Sequence, residues 1–162
     1  MSYVDKNLLQ GEEIVYRAKL HKIIFLPAAA LAVLGVLAAV WIDIYFENRQ
    51  AAIITGAILL VLAIVIAFPR FIRYATSEFA VTNKRVIVKV GLFHRHTLEL
   101  VLAKIETVGV DQSIPGRLFN YGTIIVTGTG GTQEPFKDIA DPLAFRKQVQ
   151  FELSTTGTRG EK

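Results

Sequence analysis

The sequence predicts an α+β membrane protein: a hairpin of two transmembrane helices joined to a bent antiparallel β-sheet of about seven strands, which a C-terminal helix caps. Three observations carry that prediction. Residues 23–42 ("IIFLPAAALAVLGVLAAVWI") hold no charge over twenty positions, and residues 51–68 ("AAIITGAILLVLAIVIAF") hold none over eighteen; roughly 18–20 apolar residues cross a hydrocarbon core. From Tyr74 onward apolar and polar side chains alternate with the period of two that marks strands. Phe145, Val149 and Leu153 then form an i, i+4, i+8 stripe, the spacing of one helix face.

Taken in order, the first segment is residues 1–22. Within it "EEIVYRAKLH" alternates Ile14, Tyr16, Ala18 and Leu20 against Val15, Arg17 and Lys19, a strand pattern, so the two helices are expected as an insertion between the first and second strands of one β domain. The hairpin follows over residues 23–69. A cleavable signal peptide would have a shorter apolar core nearer the N-terminus, and polar positions are missing from every face, unlike a helix buried in a soluble protein. Pro27 suits a first helical turn. Gly35 and Gly56 allow close approach of the helices, although neither belongs to a Gly-x-x-x-Gly pair. The connection "DIYFENRQ" (43–50) reads as a tight turn, and the neighbouring Trp41 and Tyr45 suit a membrane interface. Arg17, Lys19 and Lys22 precede the first helix and Arg70, Arg73, Lys84 and Arg85 follow the second, whereas the turn sets Arg49 against Asp43 and Glu47. By the positive-inside rule both termini are expected in the cytoplasm of a bacterium, with the hairpin in its inner membrane.

The β domain is expected over residues 70–153. "SEFAVT" meets a turn at Asn83-Lys84; "RVIVKV" sets Val86, Val88 and Val90 opposite Arg85, Ile87 and Lys89, as a half-buried strand would. "HTLELVL" sets Leu98, Leu100 and Leu102 on one side. "KIETVGVD" breaks period near Thr107–Gly109, which suggests a bulge, and "GTIIVTGTG" leads through Gly130-Gly131 into "TQEPFKDI". Asp141 then caps a helix that Pro142 opens. The polar tail 154–162 is expected to be flexible.

Those segments carry a resemblance. Thr82 and Arg85, Gly91-Leu92, Lys104-Ile105, Gln112-Ser113, Gly116-Arg117 and Tyr121-Gly122-Thr123 follow the order and spacing of the bacterial pleckstrin-homology-like (bPH2) family, with Phe79 where that family often has Tyr. The similarity covers roughly residues 74–150, and paired transmembrane helices ahead of the domain are also common in that family. It implies a strongly bent seven-stranded sheet or partial barrel closed at one end by the C-terminal helix. It implies no catalytic residues, and a fold does not bring its function with it. In eukaryotic relatives of the fold a basic loop between the first two strands holds a phosphoinositide headgroup; here that connection is the membrane hairpin.

Composition narrows the chemistry further. Of 162 residues 52% are hydrophobic, with 18 Lys and Arg against 14 Asp and Glu, a balance too mild for a dedicated nucleic-acid binder. The chain has no cysteine, which removes disulfides, thiolate metal sites and a cysteine nucleophile. His94 and His96 in "HRH" would share a strand face as metal ligands could, but no acidic cluster accompanies them and a wet strand edge explains them better. Ser113 has no nucleophile elbow. "GTGG" (128–131) lacks the Lys-Ser/Thr and following helix of a phosphate loop and reads as a hairpin turn.

No enzyme, metal, cofactor or nucleic-acid signature emerges, so the expected role is an interaction or assembly module at the membrane. Its expected partners are an integral-membrane protein or further copies of itself, and membrane lipids. Arg70, Arg73, Lys84, Arg85 and Lys89 are expected to face anionic headgroups, each charge contributing on the order of 1 kcal/mol near such a surface; Arg70 and Arg73 serve equally well as topology signals. In "QSIPGRLFNYG" (112–122), Ile114, Arg117 and Phe119 are candidate partner contacts. Leu118, Phe119 and Tyr121 can instead be read as packing that closes the barrel, which leaves Arg117 as the surface contact.

Overall fold

The computed structural model describes residues 3–91 and 96–159. Two compact units make up the chain: Lys22–Ala75, and Met1–His21 joined to Thr76–Lys162.

The first unit is the helical hairpin. After a 3-10 turn over Lys22–Phe25, helix α2 runs Leu26–Phe46 and helix α3 runs Arg49–Thr76, while a short α1 (Tyr3–Lys6) belongs to the other unit. The turn is tighter than residues 43–50. Helix α2 continues to Phe46, Glu47 takes a left-handed φ of 50°, and Asn48 starts α3 by accepting from Ala51 N at 3.0 Å through Oδ1. Helix α3 also outlasts its apolar run. Pro69 lies inside it and has no N–H for the carbonyl of Val65, and Arg70 Nη1 donates to the next carbonyl, Ile66 O, at 2.7 Å. Arg70 and Arg73 are therefore helical rather than the opening of the β domain.

The two glycines close the seam between the helices. A Cβ on Gly35 would stand 2.8 Å from Leu59 Cβ, so only glycine permits this approach at position 35, while one on Gly56 would make a tight 3.2 Å contact with Ala39 Cβ. Outward-facing side chains have no protein cover: Val36 and Ile53 are each 62% exposed, which a core helix of a soluble protein would not tolerate. Trp41 lies tilted against Tyr45 and edge-on to Phe46 at the turn end, with centroids 5.5 and 5.4 Å apart, and Phe25 meets Tyr74 at 5.6 Å at the other end. Phe25 and Trp41 lie sixteen residues apart, roughly 24 Å of rise, most of the height of a hydrocarbon core roughly 30 Å thick, with aromatic side chains grouped at each end.

The second unit holds seven strands: β1 (Ile14–Ala18), β2 (Glu78–Thr82), β3 (Arg85–Val90), β4 (His96–Val101), β5 (Ile105–Asp111), β6 (Tyr121–Gly128) and β7 (Gln133–Ala140). They form an antiparallel sheet β1-β2-β3-β4 and a second, β5-β6-β7. β1 pairs directly with β2, Ala18 opposite Phe79, so the hairpin is an insertion between adjacent strands. The two sheets meet where Leu20 bridges Ile139, with Ala140 N donating to Lys19 O at 2.9 Å and His21 N to Asp138 O at 2.6 Å. Strand β6 alternates without a break, Gly122, Ile124, Val126 and Gly128 all inward. The irregularity in β5 falls between Ile105 and Thr107, just ahead of the expected bulge.

Helix α5 (Pro142–Arg159) closes one end, its Phe145 and Val149 fully buried and Phe145 edge-on to Tyr16 at 6.2 Å. It runs through residues 154–159, which the polar composition had marked as flexible tail; residues 160–162 lie outside the described residues.

Strand β3 departs from the half-buried expectation. Val86, Ile87 and Val88 are all fully buried, because α1 and the chain after it cover the second face, where Val4 meets Ala80 and Ile87, flanked by Tyr3, Leu8 and Ile14.

Candidate functional site

The basic residues of the β3 region are held by the N-terminal segment. Glu12, 6% exposed, accepts from Arg85 through both oxygens: Nε to Oε1 at 2.9 Å and Nη2 to Oε2 at 3.0 Å. The Thr82 hydroxyl donates to Oε1 at 2.7 Å and Leu9 N to Oε2 at 2.7 Å. Burial alone would raise the Glu12 carboxyl, but the Arg85 bonds, then those of Leu9 and Thr82, outweigh it and hold the group below its ordinary range. The guanidinium of Arg85 also reaches Glu99 Oε2 at 2.5 Å and Asn7 O at 2.6 Å. Its own pKa is raised, chiefly by the Glu12 hydrogen bonds.

Arg85 therefore does not belong with residues free to meet a headgroup. Two carboxylates neutralise it and its side chain is mostly covered. Lys84 Nζ donates to Gln10 O at 2.7 Å, and Lys89 Nζ lies 5.0 Å from the centre of the Tyr3 ring. At the far end of the clasp, Glu78 accepts from Tyr3 N and Val4 N at 3.0 and 3.1 Å, and Arg17 pairs with Asp5. The basic run of β3 thus fastens residues 3–12 over the sheet. Of the five basic candidates, Arg73 and Lys84 present exposed residues, and Arg70 turns back to its own helix.

The loop 112–122 is built differently. It contains a one-turn helix, α4 (Ile114–Leu118), which the Pro-Gly pair hid from periodicity. Ser113 caps it, its Oγ accepting from Gly116 N at 3.3 Å, so that hydroxyl has a structural task. Gln112 Nε2 donates to Tyr121 O at 3.1 Å and lies 3.4 Å from Gly116 O. A Cβ on Gly116 would come within 2.7 Å of Tyr121 O, and one on Gly122 within 2.7 Å of Asp111 O, which fixes both positions as glycine. On this fastened backbone Ile114 is 87% exposed, Leu118 78% and Phe119 54%, with Arg117 exposed among them. Leu118 and Phe119 therefore do not pack into the barrel. Tyr121 does pack, stacked on His21 at 5.3 Å.

The remaining chemical candidates resolve into structure. Gly130 and Gly131, at φ 115° and 78°, make the β6–β7 turn. His94 lies outside the described residues, and His96 opens β4. Among the described residues no three His, Cys, Asp or Glu side chains converge as metal ligands would.

Comparison with known proteins agrees with this architecture. The profile of the family described as Bacterial PH domain matches residues 22–152. The UPF0699 transmembrane protein YdbT of Bacillus subtilis (strain 168) is 23% identical over 87 residues, which are 51% of this chain and 18% of that protein. The chain thus spans less than a fifth of that relative's length. With the profile covering most of the sequence, and the hairpin and seven-stranded sheet both in place, the chain belongs to the bacterial PH domain family as a membrane-associated member whose two hairpin helices are long and apolar enough to cross a membrane.

Proposed function

We propose that the protein is a non-enzymatic assembly module, anchored in the bacterial cytoplasmic membrane with both termini inside, that docks a membrane-protein partner or another copy of itself through the α4 tip. One observation carries this reading: Ile114, Leu118 and Phe119 stand bare on a backbone that Ser113, Gln112, Gly116 and Gly122 hold rigid. A pre-organised apolar cluster beside an arginine suits an interface centre, since little ordering entropy is lost on docking. The accessory-subunit role rests on that chemistry, and the orientation on the charge flanking the helices.

The test is to isolate the tagged full chain from its own membranes in mild detergent and record native masses, beside a variant carrying Ile114→Ser, Leu118→Ser and Phe119→Ser. A stoichiometric partner or homo-oligomer lost in the variant supports the reading. A wild-type chain that emerges as a lipid-bearing monomer rejects it. That outcome moves the weight to anionic headgroup binding by Arg73 and Lys84, each exposed in its own unit; the β unit with a short linker in place of residues 22–75 should then bind anionic vesicles through Lys84 and be released by salt.

A further inference from the structure

We propose that the turn-end half of the helical hairpin is a binding site for one phospholipid whose headgroup combines a phosphate with a primary ammonium. Its acyl chain would lie in a groove between α2 and α3, the phosphate at Arg49 and the ammonium at Asp43. The groove encloses about 530 Å³ and is lined by both helices. Small residues form its base: Ala52 is buried, and Ala32, Ala39 and Gly56 are half-buried. Larger exposed residues, Val36 and Leu60 among them, stand along it.

Length and charge identify the occupant. On α2 the lining runs from Ala32 to Asp43 and on α3 from Arg49 to Leu60, twelve residues each, or roughly 16 Å of rise over their eleven steps. That is about half of a hydrocarbon core roughly 30 Å thick, the depth of one leaflet. A partner helix crossing the bilayer would need a seam along the whole hairpin, whereas this groove stops midway. Its only polar lining residues are Asp43 and Arg49, one from each helix, both at the turn end where headgroups begin. They are exposed and form no ion pair with each other. One anion and one cation held apart above an apolar channel complement a zwitterion. A purely anionic headgroup would satisfy Arg49 but set its charge against Asp43.

The inference does not depend on α4 and is tested separately. The full chain in detergent is given equal amounts of phosphatidylethanolamine and phosphatidylglycerol with the same acyl chains, and the retained lipid is read by native mass spectrometry. One retained phosphatidylethanolamine is expected, preferred roughly two- to fivefold, the range of a partly exposed charge pair. Asp43→Asn should erase the preference by admitting the anionic lipid, and Arg49→Gln should weaken retention of both. Ala57→Phe, which places a ring in the groove from an exposed position, should abolish retention while helicity by circular dichroism is kept. Retention and preference unchanged in all three variants would overturn the proposal. So would a lipid-free dimer captured by disulfide formation in an Ala57→Cys chain, whose only cysteine that would be.

Discussion

Glu12 and Arg85 decide whether the N-terminal segment belongs to the fold. The pair is almost fully covered, and the remaining lone pairs of the carboxylate are used by Thr82 and Leu9. Removing Glu12 would leave the largely covered Arg85 with only the more exposed Glu99 as counter-ion, which costs about 1–3 kcal/mol. Glu12→Ala is expected to lower the stability of the β domain by that amount in urea unfolding, and Glu12→Gln by less, since the amide keeps a hydrogen-bonding oxygen. The pH dependence follows in sign from the same group. The Glu12 carboxyl is depressed in the folded state, so its contribution is complete above the ordinary unfolded value of about 4.3 and is lost as pH falls through the lower folded value. The wild-type chain should therefore lose stability on acidification below about pH 4.3 more steeply than Glu12→Gln does; parallel pH profiles would show that Glu12 is not the group responsible. The sequence could not display this pair. Glu12 stands 73 residues from Arg85, in a Gly-Glu-Glu stretch with no local pattern, so Arg85 looked like one more surface cation in a basic run.

At the scale of elements, the strands and spanning helices were legible because each repeats a simple period: the strict alternation of β6 survives unchanged into its burial, and the stripe of Phe145 and Val149 faces the core. What was not legible has a physical cause in each case. The single turns α1 and α4 are too short to show a period, and cover by α1 turned β3 from half-buried to buried on both faces. The tail after Leu153 is polar, yet it continues a helix already nucleated by Phe145 and Val149. At the hairpin seam the sequence named Gly35 without its neighbour. Because the close atom is Leu59 Cβ, Gly35→Ala should destabilise the hairpin by about 1–3 kcal/mol, the usual range for overpacking. Leu59→Gly should restore it where Leu59→Ala does not. Trp41, the sole tryptophan, reports the transition by fluorescence as SDS is titrated into mild micelles.

For the molecule as a whole, the consequence of the topology is that its anchor is a loop. Residues 22–75 leave the β unit after His21 and return at Thr76, and the strands on either side are already paired, Ala18 with Phe79 and Arg17 with Ala80. The β unit holds its own core, from Phe79, Val81 and Val88 to Ile124, Ile139 and Phe145, and its N-terminal clasp uses only residues of the same unit. Chain closure across such an insertion depends weakly on loop length. Replacing residues 22–75 with a flexible linker of about six Gly, Ser and Asn residues is therefore expected to give a water-soluble domain with the strand-rich circular dichroism of the parent and a cooperative unfolding transition. Retaining residues 1–21 is essential to that outcome. A shorter piece beginning at Thr76 lacks β1, the Leu20 bridge and the cover over Ala80 and Ile87, exposes an apolar sheet face, and should aggregate. If the piece beginning at Thr76 instead folds as well as the linked domain, the N-terminal segment is an appendage and the clasp around Arg85 adds nothing to stability. If neither folds, the β unit depends on its hairpin, and the two units are one cooperative structure.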